Sequence, residues 1–256
     1  MEQNLFLYLV TALLIFSVST VFAMLGLGGG MLYVPILHWL GIPVKTVAIP
    51  TGLLLNGINT LLAFARYARE GLVDFRSGTP AAIAALLTAP MGAWSSQFMS
   101  HGWLLGLFAT VAGIAGAHSL LKAGVERSVE FAPPQRRLAI GMSSGGLAGF
   151  VGGLLGIGGG VIVAPLLMGM GYPTKVAVAT TAFIVAFSSF SGYLGHITRG
   201  GADVTLMAVT IVPVILGSQL GSWYMAKKAK PVLIRKFYGV LLLVIAAKLF
   251  SEVISD

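Results

Sequence analysis

The stretch Gly26-Leu27-Gly28-Gly29-Gly30-Met31-Leu32-Tyr33-Val34-Pro35 returns 130 residues later as Gly156-Ile157-Gly158-Gly159-Gly160-Val161-Ile162-Val163-Ala164-Pro165. The same spacing pairs Gly41 with Gly171, Pro43 with Pro173, Lys45 with Lys175 and Thr51 with Thr181. Such a chain is expected to fold as two like halves. Each is interrupted by a triple glycine between apolar runs, a sequence that breaks a helix and leaves backbone groups uncovered.

The apolar runs decide the solvent. With 57% hydrophobic and only 9% charged residues, the chain cannot clothe a water-facing surface, and runs of about 20 apolar residues read as membrane spans. Eight runs reach that length: 5–25, 44–67, 78–98, 103–122, 138–155, 174–197, 204–225 and 232–254. Two short ones, 30–40 and 160–170, follow the glycine triplets. The first run has no positive flank or small-residue cleavage pattern, so it reads as a retained span. A net charge of +8 would suggest nucleic acid in a soluble domain. Here the Lys and Arg residues cluster in the short connections between apolar runs, where orientation rules expect them, and nucleic-acid binding is a poor reading. The chain has no cysteine, which removes disulfides, thiolate metal sites and cysteine nucleophiles together.

Gly-x-Gly-Gly-Gly, a proline five residues on and Gly-x-Pro six residues further, present in each half of an apolar chain of this length, resemble the TauE/SafE sulfite exporter family. The resemblance covers nearly the whole chain. It implies a multi-spanning permease for sulfite, sulfonates or related sulfur-containing anions, working as an exporter.

Topology turns on the short runs. A helix of about 11 residues rises about 17 Å against a hydrocarbon core of about 30 Å, so each either re-enters on its own side or crosses with help from an extended glycine stretch. If neither crosses, Lys and Arg divide almost evenly between the two sides. If both cross, one side holds every Lys and Arg except Lys45, Arg199 and Lys248. The positive-inside rule prefers the second case: ten segments, the basic side cytoplasmic and both termini outside. The expected fold is therefore an all-α polytopic membrane protein of two inverted repeats of five segments, each with a glycine-broken half-helix. Residues 1–123 form the first repeat, 124–137 a cytoplasmic linker and 138–256 the second. The expected location is the bacterial inner (plasma) membrane.

Gly28, Gly29, Gly30 and Gly158, Gly159, Gly160 are the leading binding candidates. Each triplet begins a half-helix whose free N–H groups and positive dipole end favour an anion. Close helix packing is the competing role, and duplication beside a broken helix favours the site. All eight acidic residues lie at termini or in connections, which speaks against a cation carrier and for a small inorganic or organic anion. Thr51, Asn56 and Asn59 follow the first break, with Asn56 and Asn59 on one helix face; Thr181, Ala186 and Ser189 are their counterparts, and Thr180, Ser188 and Ser191 lie nearby. Their hydroxyls and amides are candidate donors to anion oxygens, Gln97 and Gln219 weaker ones.

Arg66 and His196 are matched at the same offset, as are Lys45 and Lys175, and all four are candidates for drawing anions into the two mouths. Anchoring of helix ends is their plainer role. His38 and His118 stand alone on apolar runs, and no set of residues has metal-ligand spacing, so neither a metal nor a cofactor is expected. Beyond the lipid bilayer and the transported anion, a homo-oligomer is the one further partner allowed for. An anion channel is the main rival to the carrier. An intramembrane hydrolase ranks below both: Ser188, Ser189, Ser191 and His196 supply nucleophile and base types, but no Gly-x-Ser-Gly context and no carboxylate at depth to orient the histidine, so the chain is not read as an enzyme.

Overall fold

The computed structural model describes residues 2–121, 134–197 and 204–255. Among them are ten α-helices and no strand: α1 (Glu2–Leu25), α2 (Gly30–Trp39), α3 (Ile49–Arg69), α4 (Phe75–Ser95), α5 (His101–Leu121), α6 (Pro134–Leu155), α7 (Gly160–Gly169), α8 (Thr174–Ile197), α9 (Val204–Lys227) and α10 (Pro231–Ser255). The fold is all-α, as the apolar runs predict. Three described stretches, Thr46–Arg69, Thr174–His196 and Leu206–Lys227, are long and apolar enough to cross a membrane. Large apolar side chains such as Leu13, Leu87, Met91, Trp94, Leu194 and Val244 point outward, which suits lipid contact and would be unfavourable in water.

Two boundaries depart from the sequence expectation. The linker assigned to 124–137 gives way to helix at Pro134, because proline at a first helical position lacks only an N–H that would be unpaired there. The rest of that linker, through residue 133, lies outside the described residues, as does Arg199. The run from Val44 opens with a π-helical turn, Val44–Ala48, before α3 begins; its counterpart α8 is α-helical from Thr174.

Glycine and alanine set the packing and reveal the helix directions. Gly141, Gly145, Gly149 and Gly153 of α6 face Ser77, Ala81, Ala85 and Ala89 of α4 in ascending order, so those helices run parallel at backbone contact. Gly217 and Gly221 of α9 meet Phe16 and Thr20 of α1 in the same parallel sense. The first helix of each half thus packs on the fourth helix of the other. At the centre, Gly57 meets Phe190 and Gly192 meets Leu53, so α3 and its counterpart α8 are antiparallel. At the periphery, Gly113 faces Ala246 and Gly239 faces Leu120, so α5 and α10 are antiparallel too.

Helix α1 runs parallel to α3: Asn59 Nδ2 donates to the Ser19 carbonyl at 3.3 Å and Tyr67 OH to that of Ala23 at 2.5 Å. The chain between two parallel helices must return to the side from which the first began. Helix α2 has ten residues and rises about 15 Å, so the glycine stretch and the π-helical turn supply the remaining distance. The connection therefore returns along the length of α1.

Candidate functional site

Each short helix starts at a glycine in the left-handed region: Gly29 has φ 93° and Gly159 φ 81°, and each is the N-cap residue. A side chain there would be strained and would also overlap its surroundings, the Tyr33 ring for Gly29 and the Ala148 carbonyl for Gly159. The two starts meet. A Cβ on Gly30 would lie 3.2 Å from Ile157 Cα, and one on Gly160 would lie 3.1 Å from Leu27 Cα. Leu27 and Ile157 are themselves counterparts, so the contact is reciprocal, as across a two-fold axis.

Asn56 fastens this junction. Its Oδ1 accepts from Gly30 N at 2.6 Å, and its Nδ2 donates across the halves to Ser189 Oγ at 2.7 Å and to the Ile157 carbonyl at 3.4 Å. The position matching Asn56 in the second half is Ala186, which brings no acceptor to the start of α7. Asn59 serves the first break alone: its Nδ2 donates to the Gly28 carbonyl at 2.7 Å and to Tyr33 OH at 2.9 Å. Ser188 Oγ does the corresponding work in the second half, donating to the Gly158 carbonyl at 2.6 Å. The amide donors of Asn56 and Asn59 and the Ser188 hydroxyl, which the sequence suggested for an anion, are thus already engaged within the protein.

Five buried side-chain atoms of the two long central helices have no hydrogen-bond partner: Thr51 Oγ1, Asn59 Oδ1 and Arg66 Nε of α3, and Thr174 Oγ1 and Thr181 Oγ1 of α8. Thr51 and Thr181 are matched positions, each fully buried. Orphaned groups at matched depth are unusual, because each forfeits about 1–3 kcal/mol relative to a paired one.

Two residues absent from the sequence-based candidates are hydrogen-bonded to the first break through Asn59. Tyr33 OH lies 2.7 Å from Ser19 Oγ, which donates to the Ile15 carbonyl at 2.6 Å. Since Ser19 spends its proton on Ile15, Tyr33 donates to Ser19 and accepts from Asn59, and all the protons in this relay are assigned. A tyrosine one turn into the half-helix was the available signal; Ser19 gave none.

The entrance candidates are placed at helix ends. Arg66 Nη2 donates to Gln219 Oε1 at 3.3 Å, Lys175 Nζ to the Ala226 carbonyl at 3.0 Å, and the buried His196 Nε2 to the Gly153 carbonyl at 3.2 Å. Lys45 falls in the π-helical turn. A cavity of about 540 Å³ between α5, α6 and α7 is lined by apolar residues including Leu107, Val111, Ile162 and Leu166, with His118 at its edge. Its chemistry suits hydrocarbon, and the anion candidates lie elsewhere.

The model of the sulfite exporter TauE/SafE family matches residues 11–249. The chain belongs to that family. It is 30% identical to the probable membrane transporter protein YunE of Bacillus subtilis, over 82% of each chain. It is 28% identical to the probable membrane transporter protein MJ0441 of Methanocaldococcus jannaschii, over 84% of this chain and 86% of that one. Sulfite exporter TauE/SafE family protein 6 of Arabidopsis thaliana is 39% identical over a shorter stretch, 33% of this chain and 20% of that protein. No solved structure matches. Family membership makes the chain an integral membrane transporter and not an enzyme.

Proposed function

We propose that the protein is a secondary carrier of small sulfur-containing anions such as sulfite or organosulfonates, exporting them by alternating access around the junction of α2 and α7. The observation that carries this reading is the meeting of two half-helix N-termini, with no acidic side chain among the described residues in contact with them. Paired N-termini supply N–H groups and positive dipole ends without a compensating carboxylate, the electrostatics an anion requires.

The two halves form an inverted repeat on this reading. Antiparallel α3 and α8, antiparallel α5 and α10, and the reciprocal glycine contacts all support an axis across the helices, so the same hinge serves either side in turn. Asn56 holds the empty carrier shut: its carbonyl oxygen occupies the α2 end as an anion oxygen would. An arriving anion replaces it on Gly30 N, which frees Nδ2 from Ser189 and loosens the two halves. Thr51 and Thr181 hydroxyls, unpaired in this conformation, are available as further donors.

The test is transport by the purified protein in liposomes. Saturable sulfite efflux, with exchange accelerated by sulfite on the opposite side, supports the carrier. Conductive currents without exchange would indicate the channel, and indifference to every sulfur oxyanion and sulfonate would sink the reading.

A further inference from the structure

The junction offers a hydrogen-bond acceptor as well as donors, and that narrows the ligand. Asn59 is fully buried, and its Nδ2 is committed to the Gly28 carbonyl and Tyr33 OH, atoms of the break itself and of the first turn of α2. The amide cannot be turned over, since that would set Oδ1 against the carbonyl oxygens of Gly28 and Ser19. The Oδ1 atom of the same amide is buried and has no partner. A carboxamide oxygen only accepts. A bare oxyanion placed beside it would be repelled, whereas an O–H or N–H would satisfy it.

Resting on the reading of the junction as an anion site, we propose that the preferred substrate is an anion that also carries a proton donor: a hydroxy- or amino-sulfonate, or a singly protonated sulfur oxyanion. Its anionic oxygens face the α2 and α7 N-termini and its donor faces Asn59 Oδ1. The pairing of donors at the helix ends with one acceptor at Asn59 makes the site polar in a fixed sense. It selects by loss: an analogue lacking the donor leaves Oδ1 desolvated and unpaired.

Hydroxyethanesulfonate and propanesulfonate have nearly the same size and the same charge and differ in a hydroxyl against a methyl. Binding of each to the purified wild-type protein is expected to favour hydroxyethanesulfonate by at least about tenfold. In the Asn59→Leu variant the preference should shrink toward equality. Equal binding of the two by the wild type overturns the proposal and leaves the anion site standing, as it would if a water satisfied Oδ1 throughout. Binding of neither, with sulfite also failing, overturns the anion site itself. A preference that persists in Asn59→Leu removes Asn59 as its source. Should that variant not fold, the wild-type comparison alone decides.

Discussion

Asn56 of the first half and Ser189 of the second are joined by a 2.7 Å hydrogen bond, although they are not counterparts: Ser189 matches Asn59, and Asn56 matches Ala186. The repeat is thus symmetric in backbone and asymmetric in side chains. One carboxamide caps the α2 end while the α7 end has no equivalent, so the second half-helix presents the less occupied seat.

If Asn56 stands in for the anion, giving it a charge should make the substitution permanent. Asn56→Asp keeps the shape and puts a carboxylate oxygen on Gly30 N, where the helix end stabilises it. Sulfite binding to this variant is expected to weaken by more than about tenfold, with normal protein levels. Asn56→Ala should instead lower the melting temperature of the empty protein, corresponding to about 1–3 kcal/mol for the unpaired Gly30 N–H. Added anion should then restore more stability than it adds to the wild type. Unchanged sulfite affinity in Asn56→Asp would dispose of the placeholder.

The glycines can be separated into strain and contact. Gly159 and Gly41 have nearly the same backbone, φ 81° and φ 80°, but a Cβ would overlap the Ala148 carbonyl at Gly159 and meet nothing within 4 Å at Gly41. Gly41→Ala should therefore destabilise by about 1–2 kcal/mol from its left-handed backbone alone and leave transport per molecule intact. Gly159→Ala carries the same strain plus a shifted α6–α7 contact, and transport per surviving molecule should fall to background. Equal effects at both positions would assign the left-handed glycine geometry to folding and not to the site.

The apolar runs made the long helices legible to within a few residues, and the duplicated glycine–proline block located both breaks at the residue. The hydrogen-bond polarity at the junction was not legible. Sequence shows that Asn56 and Asn59 share a helix face, but whether each turns its donor or its acceptor toward a ligand depends on which backbone groups of α1, α2 and the second half arrive beside it. Ser19 and Tyr33 were missed for the same reason: a serine and a tyrosine in apolar runs look like ordinary packing until a distant amide lands on them. The π-helical turn before α3 has no marker in Val44–Ala48 that its α-helical counterpart lacks.

An ion pair shows which helix ends share a face. Lys227 Nζ lies 3.3 Å from Glu70 Oε1, which puts the ends of α3 and α9 on one face of the protein. A division in which the short segments re-enter would place those two residues on opposite faces. In this cysteine-free chain, single cysteines at Glu70 and Lys227 should label from the cytoplasmic side, and one at Gly41 from the other. Labelling of Glu70→Cys and Lys227→Cys from different sides would refute ten crossings. The ion pair itself is largely exposed, so Glu70→Gln should change stability by less than about 1 kcal/mol.

Thr51 and Thr181 offer the sharpest division between folding and function. Their hydroxyls are buried and unpaired, so replacing either by valine removes a desolvated polar group and keeps the volume. Judged on the empty protein alone, Thr51→Val and Thr181→Val should leave the melting temperature unchanged or raise it, by an amount corresponding to about 1 kcal/mol. A hydroxyl kept unpaired in the empty state is available to a ligand in the filled one, so the same substitutions should weaken sulfite binding by about fivefold to a hundredfold. Stability gained together with affinity lost is the pattern of a site held ready at some expense to the fold. Stability gained with affinity unchanged would mean that the two threonines merely fill space, and the donors would have to be found among the backbone amides alone.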